Sequence, residues 1–128
     1  MKNKEVVDLL NKIADYLELN EEGFKVRAYR GAALVVEGLS EDIFDVWKNG
    51  KLEELPGIGE GIAKTISDFL KKGKSKYFME LKKKTPIDVG QLGKIEGLGP
   101  KTLLKLYKKL KVKNLKDLER VIKKKEIR

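Results

Sequence analysis

Two stretches of this 128-residue chain carry glycines at a spacing that can do chemistry. The first is LPGIGEGIAKTI, residues 55–66, with Gly57, Gly59 and Gly61. The second is IEGLGPKTLLKL, residues 95–106, where Gly97 and Gly99 repeat the spacing of Gly57 and Gly59. In each, an apolar residue precedes the turn (Leu55, Ile95), Gly-apolar-Gly makes it, and a helical pattern follows at once. Glycine admits positive φ and a close backbone approach. The first amides of the following helix lack intrahelical partners and lie at the positive end of its dipole. Such an end accepts an anion such as phosphate. A Rossmann fingerprint does not fit, because it needs G-x-G-x-x-G after a strand. Here the first copy reads G-x-G-x-G and the second has no third glycine. A P-loop does not fit either, since GKS at 73–75 has Asp68 where that motif needs its first glycine.

The charge around these turns is uneven. Residues 1–63 carry 8 Lys/Arg against 13 Asp/Glu, and residues 64–128 carry 21 against 7, so a net −5 gives way to +14 just after the first turn. A basic half of that size points to a polyanion. The chain has no cysteine and no histidine. Disulfides, thiol nucleophiles and a histidine general base are thereby excluded, and no structural zinc site is expected. No apolar run reaches the roughly eighteen residues of a membrane span, and MKNKEVVDLL has no signal-peptide core. These features predict a cytoplasmic protein with no membrane partner; a monomer is expected.

The elements that must position the turns read as helices throughout. Val6, Leu10, Ile13 and Leu17 make one apolar stripe over residues 4–18, with Asn3 as its expected cap. A second helix is expected from Phe24 to Glu37, and a short one around EDIFDVWKN with Ser40 as cap and Ile43, Phe44 and Trp47 in the core. KLEEL has helical character, GIAKTISDFLKKG ends at Gly73, and SKYFMELKKK follows. After Pro86, PKTLLKLYKKL has proline in its first turn, where it is tolerated, and Asn114 caps NLKDLERVIKKK. No segment alternates with period two for long enough to make a strand. The fold class is all-α, with residues 1–84 as a small domain holding the first turn and residues 85–128 as a subdomain holding the second. The lysine runs at 82–84 and 123–125 read as solvated faces.

The paired turns resemble the helix-hairpin-helix motif, which binds the DNA backbone without reading sequence. FKVRAYRGAA at 24–33, LPGIGEGIAKTI and IEGLGPKTLLKLYKKL, in that order, resemble the N-terminal part of a family X DNA polymerase of the bacterial and archaeal type. The resemblance implies a lyase-type domain followed by a second hairpin subdomain, acting in gap-filling repair. It implies DNA contacts at Gly57, Gly59, Gly61, Lys64, Gly97, Gly99, Lys101 and Lys105, with Lys94 adding charge, Lys25 and Tyr29 matching the family's pocket residues, and Arg27 and Arg30 supporting the single-stranded template or 5′ end. Gapped DNA or a single-strand/duplex junction would be preferred. It also implies a monovalent cation, K+ or Na+, at the backbone carbonyls of Leu55, Ile58, Ile95 and Leu98. Mg2+ belongs only to a palm domain, and this chain has no Asp-x-Asp to build one.

The family's lyase uses a lysine amine to form a Schiff base. Thr65 occupies the matching position, and two further pocket lysines are replaced by Glu53 and Gly61. Lys64 and Lys25 are the remaining candidate amines, although one helical step turns Lys64 by about 100° from the motif position. Whether the chain is an enzyme at all thus stays open. Three readings follow: a DNA-backbone-binding module, a module that keeps abasic-site lyase activity, and a basic helical scaffold for RNA or protein.

Overall fold

A computed structural model describes the backbone of residues 1–126 and the side chains of residues 1–123. Eight α-helices follow one another among the described residues, with no strand: α1 (Asn3–Leu19), α2 (Gly23–Glu37), α3 (Ile43–Lys48), α4 (Glu60–Lys72), α5 (Lys76–Lys84), α6 (Val89–Leu92), α7 (Pro100–Leu110) and α8 (Leu115–Glu126). The all-α expectation holds. None of these helices is long and apolar enough to cross a membrane.

The long pair α1 and α2 forms the spine. Val6, Leu10, Ile13 and Leu17 are fully buried, and Ala32, Ala33 and Val36 of α2 pack against the same cluster. The two alanines let the helix backbones approach. Replacing Ile13 by alanine would cost about 2–5 kcal/mol, the usual range for an emptied core site. The cluster continues through Ile43, Ile58, Ile62 and Ile66 to Ile87, Leu92, Leu103 and Val112. On either side of Pro86, Thr85 and Ile87 are buried, and the Tyr16 hydroxyl donates to the Ile87 carbonyl at 2.7 Å.

Two caps differ from expectation. Asn3 lies inside α1 rather than capping it. Its Oδ1 accepts from the Ile43 amide at 2.7 Å and its Nδ2 donates to the Glu41 carbonyl at 2.9 Å, which clips the start of α1 to the start of α3. Asp42, not Ser40, caps α3, because its carboxylate sits two residues ahead of the open Phe44 amide and accepts from it at 3.1 Å. KLEEL forms only a 3-10 turn at Leu52–Glu54. Asn114 caps α8 as expected, accepting from the Asp117 amide at 2.9 Å. Trp47 is a structural residue, with its indole N–H on Ser67 Oγ at 2.8 Å and its edge against Phe44.

Candidate nucleic-acid interface

The two glycine turns have one backbone. Gly57 and Gly97 take φ of +77° and +88°, values that a side chain would strain. The Ile58 amide donates to the Leu55 carbonyl at 3.2 Å, and the Leu98 amide to the Ile95 carbonyl at 3.1 Å. Gly59 and Gly99 then sit as extended N-caps of α4 and α7, and neither helix start has a side-chain cap. The first intrahelical bonds come from Ala63 to Gly59, at 2.9 Å, and from Leu103 to Gly99, at 3.0 Å. The amides of Glu60, Gly61 and Ile62, and of Lys101 and Thr102, are therefore left for an outside acceptor. By contrast, α3, α5, α6 and α8 are closed by Asp42, Ser75, Asp88 and Asn114.

The same turns fit a cation by their donor set. Each Leu55 and Ile95 carbonyl spends one acceptance on its turn. Those of Ile58 and Leu98 accept no backbone hydrogen bond among the described residues. Neutral carbonyl oxygens of this kind suit K+ or Na+.

Beside the first hairpin lies an open cleft of about 920 Å³, which brings Lys25, Tyr29, Gly57, Gly59, Gly61, Lys64 and Thr65 together. Thr65 is buried in it. Its hydroxyl reaches the Gly61 carbonyl at 3.1 Å, one turn back, and the Tyr29 oxygen at 2.9 Å. A threonine hydroxyl has one hydrogen. With that hydrogen on Gly61, Tyr29 must be the donor of the second bond. Tyr29 is 7% exposed and stacks on Tyr77 at 5.9 Å between centroids, so it is a wall of the cleft and not a free stacking surface. Burial raises its phenol pKa, which keeps it a donor. Lys25 pairs with Glu22 at 3.2 Å on the rim. Glu53 and Glu60 are exposed, and neither lines the cleft.

The second hairpin is placed elsewhere. Gly99, Lys101 and Thr102 border a groove of about 680 Å³ shared with Gly23 and Arg27 of α2 and with Glu18 and Glu21. Lys94 and Gly99 line a smaller neighbouring groove against Asp15 and Glu18. Lys105 is exposed on α7 and borders neither. Arg30 belongs to neither hairpin: its guanidinium is held by Asp15 at 2.7 Å and Glu18 at 3.0 Å. Arg27, by contrast, lies with the second hairpin. Lys82 is exposed, with its ammonium 4.6 Å over the Phe78 ring. Of the run at 123–125, the side chains of Lys124 and Lys125 lie outside the described residues.

Residues 1–75 match the model of a helix-hairpin-helix domain. The chain belongs to that family. The Bacillus subtilis (strain 168) protein named DNA polymerase/3'-5' exonuclease PolX is 36% identical over 120 residues, which is 93% of this chain and 20% of that protein. The chain thus spans a fifth of this relative's length and is similar to its N-terminal part, in a family X DNA polymerase.

The matched helix-hairpin-helix residues end before the second glycine turn, so that turn rests on its own geometry. The cleft also holds groups that the sequence reading missed: Phe24, Lys71, Lys72, Lys76 and Tyr77. Spacing along α4 could have flagged Lys71 and Lys72, which follow Lys64 at seven and eight residues, two turns on. Nothing in the sequence signals that Tyr77 of α5 stacks on Tyr29 of α2 across the chain.

Proposed function

We propose that the chain grips the DNA backbone through the open amides of both hairpins, without reading base sequence, as the N-terminal DNA-binding region of a family X polymerase working at gaps in repair. The observation that carries this reading is the repeated backbone: two positive-φ glycines, each leading into an uncapped helix start. Phosphate contacts position a protein but do not specify sequence. Lys64 by the first turn and Lys101 and Lys105 by the second add charge. The Leu55/Ile58 and Ile95/Leu98 carbonyls would hold K+ or Na+, which would add positive charge at each turn. Two hairpins can hold the two sides of a gap, so gapped DNA should bind more tightly than intact duplex.

A salt titration tests the grip. With about four phosphates neutralised, the log–log slope of affinity on salt should be about −3 to −4. A salt-insensitive affinity would count against the backbone grip, and equal affinity for gapped and intact duplex would remove the gap preference.

Lyase chemistry is not part of this reading. The hydroxyl of Thr65 cannot form a Schiff base, and it is already committed to Gly61 and Tyr29. Borohydride reduction in the presence of an abasic-site oligonucleotide should trap no adduct. A trapped adduct would restore the lyase reading, and Lys64→Ala and Lys25→Ala would then locate the amine.

A further inference from the structure

The groove beside the second hairpin is built by two helix starts, not one. Its walls are the amino end of α7 (Gly99, Lys101, Thr102) and the first turn of α2 (Gly23, Arg27). Neither helix has a side-chain cap. In α2 the first intrahelical amide is that of Val26, which donates to Glu22, leaving the amides of Gly23, Phe24 and Lys25 for an outside acceptor. Two positive dipole ends therefore converge on one space. Arg27 is exposed and has no ion pair among the described residues, unlike Arg30 three residues on. Its guanidinium folds back along α2: Nη1 lies 3.6 Å from where a Cβ on Gly23 would stand. That direction carries it toward the first turn and the groove.

The groove also holds carboxylates. Glu18 is partly neutralised by Arg30, at 3.0 Å, whereas Glu21 has no ion pair among the described residues. At about 680 Å³ the space corresponds to roughly twenty waters' share of liquid volume, enough for a sugar-phosphate unit.

We propose that the DNA strand held by the second hairpin also crosses the first turn of α2, with Arg27 and Lys101 gripping its phosphates from opposite walls of this groove. Arg27 thereby ties residues of the first hairpin's half of the chain to the second hairpin's strand. Glu21 is an acid lining the same groove, and it opposes the phosphate. The inference rests on the DNA-binding reading and adds Arg27, Glu21 and the α2 start to it.

The test is a double-mutant cycle on gapped DNA with Arg27→Ala and Lys101→Ala, and with Lys4→Ala as a comparator of equal charge change. Arg27→Ala should weaken binding about fivefold or more and lower the salt slope by about one, well beyond Lys4→Ala. The double variant should lose less than the product of the single losses, since both cations serve one stretch of backbone. Glu21→Gln should tighten binding by about twofold or more. Equal effects of Arg27→Ala and Lys4→Ala, or losses that simply multiply, would overturn the shared groove. If the unmodified protein binds no DNA, the DNA-binding reading itself fails. If it binds and Gly97→Val weakens it while Arg27→Ala does not, only this inference fails.

Discussion

After Gly57 and Gly97, which share a φ near +80°, the two hairpins part company. The first is anchored in the core: Ile58, Ile62 and Ile66 are 3%, 7% and 0% exposed, and Thr65 is buried against Tyr29. Its helix starts with an acid, Glu60, and opens beside a cleft with tyrosine walls. The second buries only Leu103 of α7, starts with Pro100 and Lys101, and has no acid in its first turn. Forty residues on from Thr65, the equivalent position is Lys105, which is exposed. One backbone device thus stands in two different settings. On the proposed DNA-binding reading, the firmly seated turn positions a strand, whereas the basic and more lightly anchored turn supplies affinity.

The glycine pair gives the largest effect. Valine at a φ of +77° or +88° costs about 1–3 kcal/mol of backbone strain. Gly97→Val should lower DNA affinity tenfold or more, and Gly57→Val less, because the second turn has the more favourable charge. Both variants should melt earlier. Gly99→Val is the control: Gly99 is extended, and a Cβ there meets nothing within 4 Å, so the fold should tolerate it. A greater loss at Gly57 than at Gly97 would invert the assignment of tasks.

How far the sequence leads is visible at these same positions. The Gly-apolar-Gly repeat disclosed both turns, because a φ near +80° strongly favours glycine and that preference is local. Helix existence was equally legible from the stripe Val6, Leu10, Ile13 and Leu17, all fully buried. Asn3 and Asp42 were not, because a cap is chosen by which amide lies within reach, and Asn3 answers to Ile43 forty residues away. Arg27 and Arg30 look alike in FKVRAYR. Only the packing of α1 on α2 gives Asp15 and Glu18 to one and leaves the other at a groove.

Thr65 and Lys105 sharpen the contrast at a smaller scale. Thr65→Val removes the acceptor of the buried Tyr29 hydroxyl, at a cost of about 1–3 kcal/mol. Lys105→Ala should change stability by less than about 0.5 kcal/mol, yet lower the salt slope by about one. Thermal melts and salt titrations of both variants check this. A destabilised Lys105→Ala with an unchanged slope would erase the distinction. The pH dependence has a defined sign. Burial raises the Tyr29 pKa, so its contribution is fully present below the ordinary tyrosine value and is lost as pH rises through the raised one. Tyr29→Phe should flatten the alkaline loss of stability. Tyr16, which donates to Ile87, and Tyr77 are both raised mainly by burial and keep the remainder.

Glu60 gives the smallest effect and the most direct trade between stability and binding. At the first position of α4 its carboxylate suits the helix dipole, worth about 0.3–1 kcal/mol at an exposed site. The same charge repels a phosphate arriving at the Gly61 and Ile62 amides. Glu60→Gln should therefore lower the melting temperature slightly and tighten DNA binding about two- to threefold at low salt, with the gain shrinking as salt screens it. Pro100→Glu in the second hairpin should do the reverse, weakening binding by placing an acid where α7 has none. If Glu60→Gln leaves affinity unchanged while Pro100→Glu weakens it, phosphate meets only the second turn. The first hairpin would then hold its strand through the lysines of the cleft rather than through its amides.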